Sequence, residues 1–313
     1  MSARVRVPAS SSNLGSGFDC VGVAVDRWLV ATVIPEPGNL ISIENRGSLA
    51  AVSVPVSGDL LARGFRAACD AAGVSPTGAA IDATSDIPVG CGLGSSAAAL
   101  VAGVLLADAA LELNLTPQQI VEIATAIEGH PDNVAPAVYG GAVLSVRTPS
   151  GLVSTPLSVA AGLELVLVVP PFPSDTKAAR ALLPKTLPHS DAVLAASRAA
   201  ALVQGLSSGD GALLGAALDD VLHVPFRRAR IPGYDAVVRA AQDAGAFGAT
   251  LSGAGSAILA IAPRERSTAV GAAMIAAWRE IGIEAELIRG SHSVPGATVS
   301  HVSQTIPVST EQL

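Results

Sequence analysis

The segment Asp86-Ile-Pro-Val-Gly-Cys-Gly-Leu-Gly-Ser-Ser-Ala97 constrains the fold of this chain more than any other. Glycines alternate at 90, 92 and 94, and two serines then open a long alanine-rich helix. Glycines permit positive φ and let successive backbone N–H groups converge on one point. The helix that follows adds the partial positive charge of its N-terminus, so a phosphate is the natural guest. The lysine that a Walker motif demands does not follow these glycines, and the spacing is not the G-x-G-x-x-G of dinucleotide folds. Taken alone, the segment also fits a serine-capped glycine turn with no ligand.

The rest of the chain supplies the body that such a loop needs. Of 313 residues, 50% are apolar and 14% charged, which is ample for a core, and the length favours two domains. The longest apolar stretch, 97–107, stops at Asp108, well short of the ~18 residues of a membrane span. Arg4 and Arg6 precede a proline and serines rather than an apolar signal core, which makes the cytoplasm the expected setting. Cys20, Cys69 and Cys91 share no C-x-x-C spacing and argue against a disulfide framework or a structural zinc site. A formal charge of −7 with scattered Lys and Arg argues against a nucleic-acid partner.

β-branched runs predict strands over 21–34 and 40–43, and apolar spacing predicts helices over 59–72 and 96–113. Thr116-Pro-Gln-Gln119 predicts a capping box opening another helix. Strands over 142–146 and 163–169 flank a Pro/Ser/Gly-rich segment, 148–159, that reads as the boundary between domains 1–155 and 156–313. Helices over 192–206 and 233–244 and a strand over 257–262 make the second half an α+β sandwich. Residues after Gly296 read as a final strand and, from Ser303, a polar tail.

The order P-x-x-x-G-L-G-S-S-A resembles the phosphate loop of the GHMP kinases. The opening Val7-Pro-Ala-Ser-Ser-Ser-Asn-Leu-Gly-Ser-Gly-Phe-Asp-Cys-Val-Gly22 is similar to the N-terminal signature of the homoserine-kinase branch of that family. Thr250-Leu-Ser-Gly-Ala-Gly-Ser-Ala257 resembles the third family motif but departs from it at Ser256 and Ala257, where proline and then serine or threonine are usual. Glu128-Gly-His-Pro-Asp-Asn-Val-Ala-Pro-Ala-Val-Tyr-Gly-Gly141 again resembles the homoserine-kinase branch, with its D-N pair at Asp132 and Asn133, so the resemblance spans 5–262. It implies an α+β, two-domain GHMP kinase fold, with an N-terminal domain like domain 2 of ribosomal protein S5 and a ferredoxin-like C-terminal domain. The implied activity is ATP-dependent phosphorylation of the L-homoserine hydroxyl. Another GHMP small-molecule kinase, or a non-catalytic ligand sensor on the same fold, are the alternatives.

By the same resemblance, Pro88, Gly90, Gly92, Leu93, Gly94, Ser95, Ser96 and Ala97 bind the nucleotide. Magnesium needs hard oxygen ligands, and two glutamates compete for it. On a helical wheel begun at Ile120, Glu128 falls in the stripe of Ile120, Ala124 and Ile127, while Glu122 sits with Gln118 and Thr125 on the polar face. A carboxylate on the buried face needs a partner, and the resemblance implies that the magnesium-binding glutamate closes this helix, so Glu128, with Ser96 or Ser95 supplying a hydroxyl, is the expected metal pair. A small zwitterion with a primary hydroxyl asks for cationic forks, an acid and a polar group. The resemblance implies Arg180 and Arg227 for the carboxylate, Asp19 and Asn13 on the amino and hydroxyl sides, and His130 and Asn133 beside them. Asn133, Glu128 and Ser96 then form the catalytic set, with ATP and Mg2+ and without a strong base. L-homoserine is the implied partner, nucleic acid and membrane are not, and a homodimer is left open.

Overall fold

The computed structural model describes residues 1–290 and 293–302, so the tail expected from Ser303 lies outside the described residues. The first half contains β1 (Ala3–Ser12), β2 (Val21–Glu36), β3 (Ile41–Gly47), α1 (Leu60–Ala72), β4 (Gly78–Ser85), α2 (Ser95–Leu111), α3 (Pro117–Glu128), α4 (Val134–Tyr139), β5 (Ala142–Thr148) and β6 (Gly151–Leu157). The second contains β7 (Leu163–Val169), α5 (Thr176–Ala181), α6 (His189–Ser208), α7 (Gly211–Leu218), α8 (Val224–Arg227), α9 (Tyr234–Asp243), β8 (Gly248–Leu251), β9 (Ile258–Pro263), α10 (Ser267–Arg279), β10 (Glu286–Gly290) and β11 (Thr298–His301).

Two sheets organise these elements. The larger runs β11-β1-β2-β4-β3, with β5 on another stretch of β2 and β6 beyond it; β3 and β4 are parallel and the other pairs antiparallel. Helix α2 is its keystone. Residues 97–107 of α2 are all buried, the mark of a helix enclosed on every side. Each of its leucines and valines contributes about 1.5–3 kcal/mol relative to exposure. The crossing with α1 is close because a Cβ on Gly103 would lie 2.1 Å from the Leu61 carbonyl oxygen, and one on Gly64 2.3 Å from that of Leu100.

The smaller sheet is β10-β7-β9-β8, antiparallel throughout. Its strands are apolar on both faces. Val166, Val168, Ile258, Ala260 and Ala262 pack in a cluster with residues of α9 and α10, while Leu165, Leu167, Leu259 and Ile261 alternate with them and join the core of the larger sheet. One hydrophobic cluster thus runs through both halves.

The expected boundary needs correction. Residues 148–159 are no linker: β5 and β6 form a hairpin with Thr148 paired to Gly151, and a division at 155/156 falls inside β6. The segment reads as a breaker because Pro149 and Ser150 make the turn and Pro156 sits on an edge strand, the sheet position that tolerates proline. In addition, β11 returns to pair with β1, so the last described strand belongs to the first sheet. Helix α2 also stops at Leu111 rather than 113, because Glu112 adopts a left-handed conformation with φ 54°. The capping box forms as read, with Thr116 and Gln119 satisfying each other's backbone N–H groups.

Candidate active site

A cavity of about 430 Å³, within the range of small-ligand sites, collects side chains from both halves. Its floor is the glycine loop between β4 and α2. Gly90, Gly92 and Gly94 have φ of 72°, 80° and 66°, and Gly94 is the N-cap residue of α2. The wall behind the loop is as demanding as any guest in front of it. A Cβ on Gly94 would lie 2.1 Å from Ser10 Oγ and 2.9 Å from Asn133 Oδ1. Ser10 Oγ donates to Asn133 Oδ1 at 2.9 Å, and Asn133 Nδ2 donates to Ser12 Oγ at 2.9 Å. The turn after β8 locks on from the other side, with Ser252 Oγ donating to the Gly92 carbonyl at 2.6 Å.

At the mouth of the glycine loop, Ser96 in the first turn of α2 meets Glu128, the last residue of α3, where left-handed Gly129 ends the helix. Ser96 Oγ donates to Glu128 Oε1 at 2.5 Å, and both residues line the cavity. Glu122 is exposed and accepts from Gln118 Nε2 instead. Among the described residues no group of three or more His, Cys, Asp or Glu could hold a metal ion. A hydroxyl beside a single carboxylate fits a hard cation that takes its remaining ligands from phosphates and water.

The other end of the cavity is ionic. After β1, Asn13 and Leu14 turn the chain with φ of 73° and 46°, and Asp19 follows at 57°; left-handed non-glycine residues of this kind gather at functional sites. Asn13 Nδ2 donates to the Gly253 carbonyl at 3.0 Å, and its Oδ1 accepts from the Asp19 N–H at 3.0 Å. Asp19 and Arg180 form a bidentate pair, 2.7 and 2.9 Å. Donation to the Asp19 carboxylate raises the Arg180 pKa against the effect of burial.

Arg227 on α8 is 3% exposed and lines the cavity, whereas Arg228 is exposed and pairs with Asp235 at 3.2 Å. The Phe18 ring lies 5.5 Å from the Arg180 guanidinium carbon and 5.4 Å from that of Arg227. His130 Nδ1 is 2.7 Å from Oδ1 of buried Asp132. Burial lowers the His130 pKa, but the Asp132 hydrogen bond and the charges of Asp132, Glu128 and Asp19 outweigh it, so the net shift is upward. The remaining end of the cavity is apolar, with Leu49, Val52, Val54 and Leu61 around Asn45 and Asp59. There Asp59 caps α1 through the Leu61 N–H and accepts from Asn45 Nδ2 at 3.2 Å.

Comparison with known proteins places this geometry. Residues 59–141 match the GHMP kinases N terminal domain and residues 199–280 the GHMP kinases C terminal model. The homoserine kinase of Trichormus variabilis is 38% identical over 95% of this chain and 98% of its own length. That of Gloeobacter violaceus is 40% identical over 88% and 92%. The chain belongs to the homoserine kinase family of GHMP kinases. A crystal structure of homoserine kinase from Cytophaga hutchinsonii superposes with a TM-score of 0.87 at 32% identity, covering 96% of this chain and 97% of that one.

Within this GHMP kinase, most of the residues singled out from sequence converge on the cavity: Asn13, Asp19, Gly90, Gly92, Leu93, Gly94, Ser95, Ser96, Glu128, His130, Asn133, Arg180 and Arg227. Two do not line it. Ala97 is fully buried in the core because it faces inward on the enclosed helix α2, and Pro88 stands outside the cavity. The departure at Ser256 and Ala257 does not line it either, although the Ala257 N–H donates to the Cys91 carbonyl of the glycine loop at 3.0 Å. Both side chains are fully buried, Ser256 Oγ donates to the Phe172 carbonyl at 2.5 Å, and Gly253 and Ala254 are the residues this turn presents. Sequence reasoning gave no role to Ser10, Ser12, Phe18, Asn45 or His223. The serines stand in the quoted opening motif, but only strand pairing shows which of them face Asn133.

Proposed function

We propose that this chain transfers the γ-phosphoryl group of ATP to the primary hydroxyl of L-homoserine, giving ADP and O-phospho-L-homoserine, a step toward threonine. One observation carries the reading. A single cavity joins the glycine loop and the Ser96–Glu128 pair to a set of opposite charges, Asp19 against Arg180 and Arg227, spaced for a small zwitterion. The nucleotide lies with its base against the apolar end and its phosphates over Gly92, Gly94 and the first turn of α2. Arg180 and Arg227 receive the substrate carboxylate, Asp19 its ammonium, and Asn133 the hydroxyl. Asn133 is held for that task by Ser10 and Ser12.

Glu128 and Ser96 Oγ would hold a magnesium ion, which supplies neutralisation of phosphate charge when bound. Asp132 is buried and committed to His130, which among the described residues leaves no free carboxylate beside Asn133 to act as a strong base. Phosphoryl transfer through a loose transition state does not require one, because the proton can leave late, after the new P–O bond has begun to form. The same reading places the enzyme in the cytoplasm, where its three free thiols stay reduced. Among the described residues no helix is long and apolar enough to cross a membrane.

Steady-state ADP release measured with homoserine, mevalonate, shikimate and galactose tests the proposal. Turnover is expected with homoserine alone. Turnover with one of the other alcohols would assign a different GHMP substrate, and homoserine binding without ADP release would make the chain a sensor.

A further inference from the structure

We propose that His223 is a positioning residue whose unprotonated Nδ1 aims the guanidinium of Arg227 at the substrate carboxylate. The inference rests on the assignment of Arg227 above and deepens it. His223 is the N-cap residue of α8, and Arg227 follows four positions later, so the two side chains meet on one side of a single helical turn. His223 is fully buried. Arg227 Nη1 lies 3.2 Å from His223 Nδ1. A guanidinium only donates, so Nδ1 must accept and the ring proton must sit on Nε2. The other end of the ring agrees, because Nε2 lies 3.3 Å from the Gly15 carbonyl oxygen, which only accepts.

The neighbouring groups are consistent with a neutral ring. The Asp220 carboxylate, 3.8 Å from Nε2, is occupied by the backbone N–H groups of Leu222, His223 and Val224. Burial, opposed by the Asp220 charge and helped by that of Arg227, pushes the His223 pKa down to about 4. Phe18 stacks on the ring with centroids 5.0 Å apart and planes 20° from parallel, which fixes its rotation.

Arg227 is accordingly held from three sides: Nε donates to the Ala179 carbonyl at 3.3 Å, and Nη1 to His223 and to the Gly253 carbonyl at 3.4 Å. Among the described residues its two Nη2 hydrogens have no acceptor and its charge has no carboxylate within 4.0 Å. A buried cation held by neutral acceptors and lacking a counter-ion lines the cavity, and an anionic ligand completes it.

Three variants separate this inference from the assignment beneath it: Arg227→Lys, His223→Gln and His223→Asn. Glutamine can still donate to Gly15 but offers Arg227 no acceptor at the Nδ1 position, whereas asparagine places its Oδ1 near Nδ1 and can accept. His223→Gln is expected to raise the KM for homoserine about five- to tenfold while the KM for ATP stays within about twofold. His223→Asn should recover much of the loss. If Arg227→Lys leaves the homoserine KM unchanged, the carboxylate assignment fails. If Arg227→Lys raises it but His223→Gln behaves as wild type, or His223→Asn is the worse of the two, the role of His223 fails while the assignment stands. A readout that needs no folded variant is the 15N spectrum of the wild-type histidine rings near pH 7. It should show the Nε2–H tautomer for His223, and a proton on Nδ1 would overturn the proposal.

Discussion

Replacing Gly94 with alanine tests the wall behind the phosphate loop. Alanine at φ 66° costs about 1–2 kcal/mol of backbone strain. The new methyl would lie 2.1 Å from Ser10 Oγ, so that hydroxyl must leave Asn133, with loss of a buried hydrogen bond worth about 0.5–1.5 kcal/mol. Together these give a destabilisation of about 1.5–3.5 kcal/mol. Gly90→Ala is the internal control, because its φ is 72° but its Cβ would meet only the Pro173 ring, at 3.0 Å. Urea denaturation should therefore place Gly94→Ala about 1 kcal/mol or more below Gly90→Ala. Adding Ser10→Ala to Gly94→Ala should cost less than Ser10→Ala alone, since the clashing oxygen is then gone. ADP-release kinetics should fall with Gly94→Ala because Asn133 loses its support. Equal unfolding midpoints for the two glycine variants, together with strict additivity in the double mutant, would refute the reasoning.

Glu128→Gln keeps a hydrogen-bond partner for Ser96 but removes the charge; kcat/KM should drop roughly ten- to a hundredfold, with partial recovery as Mg2+ is raised and no change in thermal midpoint. Cys91 sits near the N-terminus of α2, a place that favours thiolate, yet burial pushes its thiol pKa up and its Sγ donates to the Val89 carbonyl at 3.5 Å. Iodoacetamide at neutral pH should therefore leave Cys91 unlabelled in the folded enzyme and modify it on unfolding, as mass spectrometry of the derived peptide would show. His130 has a folded pKa above its ordinary 6.5, so its ion pair with Asp132 stabilises fully below about pH 6.5 and the contribution fades as pH rises through the folded value. The stability difference between wild type and His130→Asn, from urea melts across about pH 6 to 9, should shrink with rising pH; a constant difference would count against the pair.

Local chemistry made much of this legible in the sequence. The Thr116 capping box is a short-range rule and forms as its residues dictate, and the same local chemistry caps α1 with Asp59 and ends it at left-handed Gly73. The choice of Glu128 rests on helical periodicity together with the family resemblance; periodicity alone also puts Thr125 on the polar face, whereas the structure buries it, and the motif leaves Ser95 and Ser96 open until the structure places Ser96 against Glu128. What escaped depends on long-range pairing. Nothing local places Ser10 against Asn133, 123 residues away, or brings β11 back to β1. The β5–β6 hairpin was hidden because its turn and edge-strand proline resemble a linker. Gly94 shows the limit of motif reasoning: its spacing suggests a guest phosphate, while the direction of its missing side chain reveals a structural neighbour.

The Asp19–Arg180 pair changes what it means for a ligand to enter the ionic end of the cavity. Each residue already holds a partner like the one the proposed substrate would bring, a carboxylate for Arg180 and a cation for Asp19. Binding a zwitterion there is an exchange, in which two intermolecular contacts form and one internal contact is given up. A lone cation would take Asp19 and strand Arg180, whereas an anion can reach Arg227 without opening the pair. Selection against lone cations is then imposed by the pair itself, and a bound zwitterion leaves the local charge balance as it found it, so occupancy should vary little with ionic strength.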